Sequence, residues 1–525
     1  MDAQRDRGAR WPAAAFIAPA LVCFGLSAFL ALRLPVLVGA DESGHLLYTA
    51  SVIDGHLPEF TTDHGAHERV PIVERAVGRP LGADALGVWV AYHPPLAYVV
   101  SAPFVWAAGE LGPDTWPALA MRGVNAAAMA TGVVFAGLFA AEAFPTRRRV
   151  GFAAACLTAA VPHVVAAGAA GHNDGVAFAM SAASLWVAAG VLRRGPTRRL
   201  LVAACGLAAA DMLARASLAP FVALLAGAVL VGGLRRRPRR GATARAVCGA
   251  LAVGVTALVA SGWFYWRNYR LYGSFVSVAD SGLSRPSPGS LVDVLTSSSF
   301  HRGIWRGLYA SVNQRFVFGR ADDVLIALAA VLALGAVLAI RRRRPEAGVT
   351  AVPGPHRDFA ADPEPDAQAS GIGVPGWALV GATCAAIVIQ TAWFHSQGGA
   401  AHSRYLLAVV PVVSALLARA IDELPWPRLA LAALVIGLAG VLRSQLERLL
   451  ALVDSPNYVR PFPDPPVGTG TRATALVLAF FAAAVSIWVV LKLDGRPSAP
   501  HPGDPGGPSA RHTVVAKAKA GVPGR

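Results

Sequence analysis

Apolar runs long enough to cross a bilayer recur along the whole chain. A helix needs about 20 mostly apolar residues to span the hydrocarbon core. The first run is far longer than the apolar core of a signal peptide, about 7–15 residues, so we expect it to be retained as a span. The pattern predicts an all-α polytopic membrane protein with about 12 transmembrane helices. The runs lie at residues 11–39, 117–144, 150–170, 175–192, 199–214, 216–234, 246–266, 323–340, 375–394, 404–420, 427–442 and 472–492.

A further apolar stretch, residues 94–110, is short and contains Pro94, Pro95 and Pro103. If this stretch lies along the outer surface as a juxtamembrane helix, every short basic cluster falls on one side of the membrane. Basic residues favour the cytoplasmic side, so both ends of the chain are predicted to be cytoplasmic. The clusters are Arg5/Arg7/Arg10, Arg147–Arg149, Arg193/Arg194/Arg198/Arg199, Arg235–Arg237 with Arg239/Arg240, and Arg341–Arg344.

This topology divides the chain into five parts. Residues 342–374 are rich in Pro, Ala and acidic residues, and the tail is rich in Pro and Gly, so neither is expected to fold on its own. The predicted parts are a cytoplasmic N-terminus (1–10), a transmembrane catalytic module (11–341) with outer loops 40–116 and 267–321, a disordered cytoplasmic loop (342–374), C-terminal transmembrane helices (375–492) and a disordered cytoplasmic tail (493–525).

Composition supports a membrane protein. It argues against a nucleic-acid partner and against a cysteine-based framework or metal site. Hydrophobic residues make up 55% of the chain and charged residues 15%, against about 25% charged in an ordinary soluble domain. The net charge of +16 would suit a nucleic-acid partner, but the basic residues flank apolar runs, where they orient spans. The five cysteines all lie within apolar runs and form no close pair, which argues against a disulfide framework or zinc site.

Two acidic sites fall on the predicted outer face. Asp41-Glu42 directly follows the first span, and a helix there would put Asp41, His45 and Tyr48 on one side. A carboxylate at a membrane boundary is costly and therefore a functional candidate, although a solvated helix end would also carry acids. The second site is Asn173-Asp174, in a very short turn between spans. Asn, Asp and Gly are also the ordinary residues of a turn.

Three cationic sites fall on the same face. Arg267-Asn268 follows an aromatic span end, Arg215 interrupts an apolar stretch, and Arg404-Tyr405 opens another span. Arginines and aromatic residues also anchor spans at interfaces, so each site alone has an ordinary explanation. Their convergence with two acidic sites favours a site for an anionic headgroup, since the planar guanidinium matches phosphate oxygens.

These motifs resemble the glycosyltransferase-C superfamily, polytopic enzymes that use polyprenyl-phosphate sugars, such as protein O-mannosyltransferases and the aminoarabinose transferase of lipid A. The resemblance is carried by Asp41-Glu42, by Tyr92-His93-Pro94-Pro95-Leu96 and by Asn173-Asp174. Gly262–Asn268 with Leu271-Tyr272-Gly273, and Arg404-Tyr405-Leu406-Leu407, are similar to a bacterial branch of the same architecture. The resemblance spans residues 11–420. It departs from the family where Arg215 replaces an expected lysine and where the proline after Arg404-Tyr405 is delayed to Pro411.

The resemblance implies an inverting glycosyltransferase that moves a sugar from a polyprenyl-phosphate donor to an acceptor hydroxyl on the outer face of the cytoplasmic membrane. Its partners would be membrane lipids and the lipid-linked donor, with no nucleic acid. No fixed cofactor is implied. Whether the second acidic site binds a divalent metal is left open. The implied roles are catalysis for Asp41 and Glu42, support of the acceptor or a metal for His45, His93, Asn173 and Asp174, and donor-phosphate binding for Arg215, Arg267, Asn268, Arg404 and Tyr405.

Two other functions remain open at the level of sequence. A transporter or flippase for a lipid-linked or anionic solute would also carry charged residues in its spans, and Asp211, inside an apolar run, favours that reading. A non-catalytic assembly factor with the same fold is the third option. The sugar, the acceptor and the lipid carrier are not predicted.

Overall fold

A computed structural model describes most of the predicted membrane module. The described residues are 13–37, 39, 41–60, 88–235, 241–276, 287–311, 321–343 and 371–453, with the single positions 471 and 474. Regular structure within these residues is entirely helical, and the all-α polytopic prediction is confirmed. The predicted N-terminus 1–10, the tail and nearly all of loop 342–374 and span 472–492 lie outside the described residues.

Most of the described helices follow the predicted apolar runs, and Glu42–Ile53, Leu291–Thr296 and Ser298–Tyr309 lie within the predicted outer loops. They are α1 (Ile17–Arg33), α2 (Glu42–Ile53), α3 (Leu96–Leu111), α4 (Trp116–Ala143), α5 (Arg148–Ala160), α6 (Pro162–Gly168), α7 (Asp174–Arg194), α8 (Arg198–Ala214), α9 (Ala219–Leu234), α10 (Ala242–Tyr272), α11 (Leu291–Thr296), α12 (Ser298–Tyr309), α13 (Ala321–Arg343), α14 (Gly373–Ser396), α15 (Val410–Asp422) and α16 (Pro427–Val453).

Within the described residues, eight helices are long and apolar enough to cross a membrane, and up to nine crossings result if α5 and α6 count as one. The two helices meet at 63°. Proline disfavours a helical conformation in the residue before it, and Val161, before Pro162, is extended. Run 150–170 is therefore sharply bent, as in a broken span or a re-entrant segment. Helices α1 and α8 have 17 residues each, and the total of about 12 spans stays a prediction.

Side-chain contacts group the polar segments at two ends of the helix bundle. One end, the site face, carries Asp41, the turn 171–175 and Arg215. These segments come together through ion pairs of Asp41 with Arg404 and of Asp174 with Arg215.

The opposite end carries the described basic clusters. Arg193 NH2 lies 2.9 Å from Glu142 Oε2, and Arg147 NH1 lies 3.1 Å from Asp422 Oδ2. Arg235 donates to the carbonyl of Ile372 at 3.0 Å. The described basic clusters thus share one end of the bundle, as the sequence predicts.

Helix α7 lies at the centre of the bundle and is buried along almost its whole length. It packs closely against α4, where a Cβ added at Gly132 would lie only 2.3 Å from Cδ1 of Phe178. Close approach of this kind needs a glycine. Because α7 begins at Asp174, its central position places that carboxylate in the middle of the site face.

Helix α3 has the character predicted for a surface helix. Its inner side buries Tyr98 and Val105, while Val99, Phe104 and Trp106 are exposed. An apolar face left open in this way is one that lipid would cover. The position of α3 along the membrane surface stays a prediction.

We expect the site face to lie outside the cytoplasm. In a cysteine-free background, Asp114→Cys should react with a membrane-impermeant maleimide in intact cells, because Asp114 is exposed at the site-face end of α4. Thr197→Cys, exposed between α7 and α8 at the opposite end, should react only after permeabilisation. Labelling in the reverse pattern would place the site face in the cytoplasm.

Candidate active site

Asp41 is held in an uncommon backbone conformation just before α2. Its φ of 66° is left-handed, which aspartate tolerates better than most residues. Trp89 Nε1 donates to Oδ1 at 2.9 Å and Arg404 NH2 donates to Oδ2 at 2.6 Å. The side chain is 30% exposed. Asp41 is therefore fixed in direction and still accessible to a ligand.

Arg404 also governs the charge of Asp41. Partial burial by itself would raise the pKa of this carboxyl, but the adjacent Arg404 guanidinium outweighs it and holds the pKa below its usual range. Asp41 is thus ionised at neutral pH. Each carboxylate oxygen accepts one hydrogen bond here and retains a further lone pair for a ligand.

Glu42 points the other way, into the protein. Its carboxylate accepts hydrogen bonds from Arg122 Nε at 2.6 Å and from Arg122 NH2 at 2.9 Å. It also accepts one from the backbone N–H of Gly171 at 2.9 Å. Burial would raise the pKa of Glu42, but Arg122 lowers it overall. Both side chains are 1% exposed. The Asp41-Glu42 pair therefore divides into one accessible and one enclosed carboxylate.

Arg122 and Asn125 are site residues that sequence reasoning missed. Asn125 Nδ2 donates to the carbonyls of Ala167 and Ala170, at 2.6 and 2.7 Å, and its Oδ1 accepts from the N–H of Gly175 at 2.7 Å. The side chain thereby fixes both ends of the turn 171–175. Both polar residues lie three apart inside run 117–144, and polar residues within a span are functional candidates by default, which is the signal that could have found them.

Asp174 is the buried anionic centre of the site. Arg215 forms an ion pair with its Oδ1, His172 Nδ1 lies 3.4 Å from Oδ2, and Arg404 NH1 lies 4.0 Å from the same oxygen. Arg404 therefore bridges Asp41 and Asp174. Asn173, also buried, directly precedes α7, and its Nδ2 has no hydrogen-bond partner among the described residues.

Arg215 and Arg404 converge on one aromatic ring. The guanidinium carbons lie 5.1 Å and 5.7 Å from the centroid of Tyr405, within the range of a cation–π interaction. Arg215 occupies an extended position between α8 and the short 3-10 turn Ala216–Leu218. The helix break brings its side chain back toward the start of α7.

A layer of buried rings lies beneath Asp41. His45 Nδ1 forms a hydrogen bond with the Tyr98 hydroxyl at 2.9 Å, and Tyr48 stacks on Tyr98 at 3.6 Å between centroids. The ring of His45 lies 5.0 Å from His172 and 6.0 Å from His93. Burial lowers the pKa of His45 and lowers that of His93 to about 3, so both are neutral at physiological pH.

Arg267 and Asn268 make different contacts. Arg267 NH2 donates to the carbonyl of Pro58 at 2.8 Å, and Asn268 Nδ2 donates to the carbonyl of Tyr92 at 3.0 Å. Tyr272, one turn on, accepts the N–H of Phe60 at 2.8 Å. The structure therefore brings these residues against the first outer loop and not against Asp174. Phosphate binding by Arg267 and Asn268 stays a prediction.

A cavity of about 110 Å³ opens beside Arg215 and Tyr405. Its lining comes mainly from the loop before α3, the break between α8 and α9, helix α14 and the residue Tyr405. The lining therefore combines one guanidinium with apolar, aromatic and polar uncharged side chains. The cavity is lined by Tyr92, His93, Arg215, Ala216, Ser217, Val276, Ile387, Gln390, Thr391, Trp393, Phe394 and Tyr405.

Neither of two further predictions is supported by the described geometry. In the part of the chain that the structure describes, no three His, Cys, Asp or Glu side chains form a group that could hold a metal ion. Asp211, the residue that favours transport, accepts from the Ser184 hydroxyl at 2.7 Å and does not line the cavity. A metal role for Asp174 stays a prediction.

Loss of the Glu42 charge should destabilise the fold. We expect Glu42→Gln to lower the apparent free energy of unfolding by about 3 kcal/mol or more, because it leaves the Arg122 charge buried without a counterion. Denaturant titration in mixed micelles would measure this. The matched control is Glu110→Gln at an exposed site on α3, with a change of about 0.5 kcal/mol or less. Equal stability of the two variants would contradict the structural role.

Comparison with protein-family models and with curated protein sequences gives no match. Among solved structures, the chain is similar to the crystal structure of ArnT from Cupriavidus metallidurans in the apo state, with 17% sequence identity and a TM-score of 0.47. The match covers 91% of this chain and 70% of that chain. At this TM-score the likeness assigns no role to any residue of the chain.

Proposed function

We propose that the protein is a membrane glycosyltransferase, which moves a sugar from a polyprenyl-phosphate donor to an acceptor hydroxyl at the outer face of the cytoplasmic membrane. The observation that carries the proposal is the position of Arg404, which contacts the accessible carboxylate of Asp41 and also stacks with Arg215 on Tyr405. A base and two cations therefore meet within one small site.

Arg215 and Arg404 are suited to bind the donor phosphate. Both guanidinium groups are largely enclosed, with side chains 9% and 12% exposed, so their charges are poorly screened by solvent. Arginine offers paired N–H groups in the geometry of phosphate oxygens. Arg215 lines the cavity, and the apolar side chains Ile387, Trp393 and Phe394 of the same cavity could accept the first part of a lipid chain.

Asp41 is suited to act as the general base. The acceptor oxygen would bond to the anomeric carbon while the bond from that carbon to the phosphate oxygen breaks, with inversion at the carbon. The hydroxyl proton would pass to the Asp41 carboxylate, and the electron pair of the broken bond would remain on the polyprenyl phosphate. The arginines would stabilise the charge that develops on this leaving group.

The remaining residues support this centre. Asp174 orients both arginines, and the neutral His45 and His93 enclose the site without adding charge. Glu42 is proposed to act through position alone, because its carboxylate is occupied by Arg122. The leaving polyprenyl phosphate never has to leave the bilayer, which accounts for a membrane-embedded enzyme.

Removal of the proposed base should abolish transfer and spare the fold. Asp41→Asn keeps the size of the side chain and should lower transfer from a polyprenyl-phosphate sugar by about 100- to 10,000-fold. The initial rate would be measured in proteoliposomes, and the thermal midpoint would verify folding. Asp114→Asn, exposed on the same face, is the control. Near-normal transfer by Asp41→Asn would refute the base assignment.

Loss of the planar guanidinium should weaken donor binding. We expect Arg404→Lys and Arg215→Lys to raise the dissociation constant for polyprenyl phosphate by roughly 10- to 100-fold, since lysine keeps the charge and loses the paired N–H groups. The control is Arg302→Lys, at an exposed position of α12. If both site variants bind polyprenyl phosphate as tightly as the wild type, these arginines do not bind the donor phosphate as proposed.

The transporter reading predicts a different outcome in the same proteoliposomes. A flippase would move the lipid-linked sugar between leaflets with no transfer to an acceptor, and it would do so without need of Asp41 as a base. Measuring both the exchange of the lipid-linked sugar between leaflets and its transfer to the acceptor therefore separates the two functions.

A further inference from the structure

Gln390 is a polar side chain in a membrane span. It lies on α14, six residues before the end of the helix at Ser396. Its Oε1 is buried and has no hydrogen-bond partner among the described residues. An amide placed in a membrane span without a partner is unfavourable, so such a residue points to a ligand that supplies the missing bond.

The other polar side chains of the helix do not share this property. Thr383 donates to the carbonyl of Leu379 at 2.9 Å, and Thr391 donates to the carbonyl of Ile387 at 2.8 Å. Both hydroxyls are satisfied within the helix itself. Thr391 also lines the cavity, so proximity to the cavity does not by itself leave a polar group unpaired.

Gln390 lines the same cavity as Arg215 and Tyr405. Arg215 provides the cation proposed to bind the donor phosphate. The anomeric carbon of a polyprenyl-phosphate sugar is bonded directly to a phosphate oxygen. A phosphate at Arg215 would therefore place the sugar ring beside the other residues that line the cavity.

We propose that Gln390 binds a hydroxyl group of the donor sugar and so helps to select the sugar-bearing lipid. The inference rests on the proposed function. An amide oxygen accepts hydrogen bonds, and a sugar hydroxyl donates them. The phosphodiester oxygens of the donor carry no proton at neutral pH and cannot satisfy this acceptor. Discrimination of this kind is strong when a buried polar group would otherwise remain unpaired.

The experiment compares a lipid phosphate without a sugar with three lipid phosphates that carry one. The full-length protein in nanodiscs would be titrated with farnesyl phosphate and with farnesyl-phosphate mannose, glucose and arabinose. We expect Gln390→Leu to weaken binding of the best sugar-bearing ligand by roughly 3- to 10-fold, the loss of one hydrogen bond. Farnesyl phosphate itself should bind Gln390→Leu and the wild type equally, within about twofold.

Two controls keep the result interpretable. Thr383→Val removes a hydroxyl on the same helix that is already bonded to the carbonyl of Leu379 and lies outside the cavity, and it should leave binding of every ligand unchanged. Gln390→Met, with a long unbranched side chain, replaces Gln390→Leu if the leucine variant does not fold, and the same loss is expected from it.

Three results would overturn the inference, and they differ from each other. If Gln390→Leu binds every ligand like the wild type, Gln390 does not touch the donor. If it loses farnesyl phosphate and the sugar-bearing ligands equally, the residue contacts the phosphate or shapes the cavity. If the wild type binds none of the four ligands, the proposed function fails together with the inference.

Discussion

The buried contact between Arg122 and Glu42 is the constraint on which the site depends. The guanidinium donates to both oxygens of Glu42 and to the carbonyls of Ala31, Leu34 and Pro35. A charge enclosed in this way is stable only while all its hydrogen bonds are made. The end of α1 and the start of α2 are therefore fixed together.

That contact explains why two adjacent acids differ in accessibility. Once Glu42 is fixed against Arg122, the preceding residue must turn back on itself, and Asp41 adopts its left-handed conformation. Its carboxylate then faces Trp89 and Arg404 instead of the protein interior. With Asp174 and Arg215 included, the centre holds two acids and two arginines, so their formal charges balance, and the neutral His45 and His93 lie nearby.

Much of this arrangement could be predicted from the sequence. Apolar length determines where helices form, and the alternation of basic clusters determines which ends share a face, so the convergence of Asp41, Asp174, Arg215 and Arg404 followed from topology. The partner of each side chain did not follow. Arg267 has the same sequence context as a phosphate ligand, yet its contacts are with the carbonyls of an outer loop. Arg122 was missed because a single cation does not interrupt an apolar run, and only packing reveals its partner.

The enclosure of α7 has a consequence for how the protein meets its lipid environment. In the most apolar stretch of α7, 89% of the residues are buried inside the protein. The corresponding share is 11% for α13 and 17% for α16. Hydrophobic mismatch acts on helices through the lipid that touches them, and it is accommodated by tilt and local deformation of the bilayer. The peripheral helices bear that strain, while α7 contacts mainly protein. A change in bilayer thickness is therefore absorbed at the rim of the bundle before it reaches the helix that begins at Asp174.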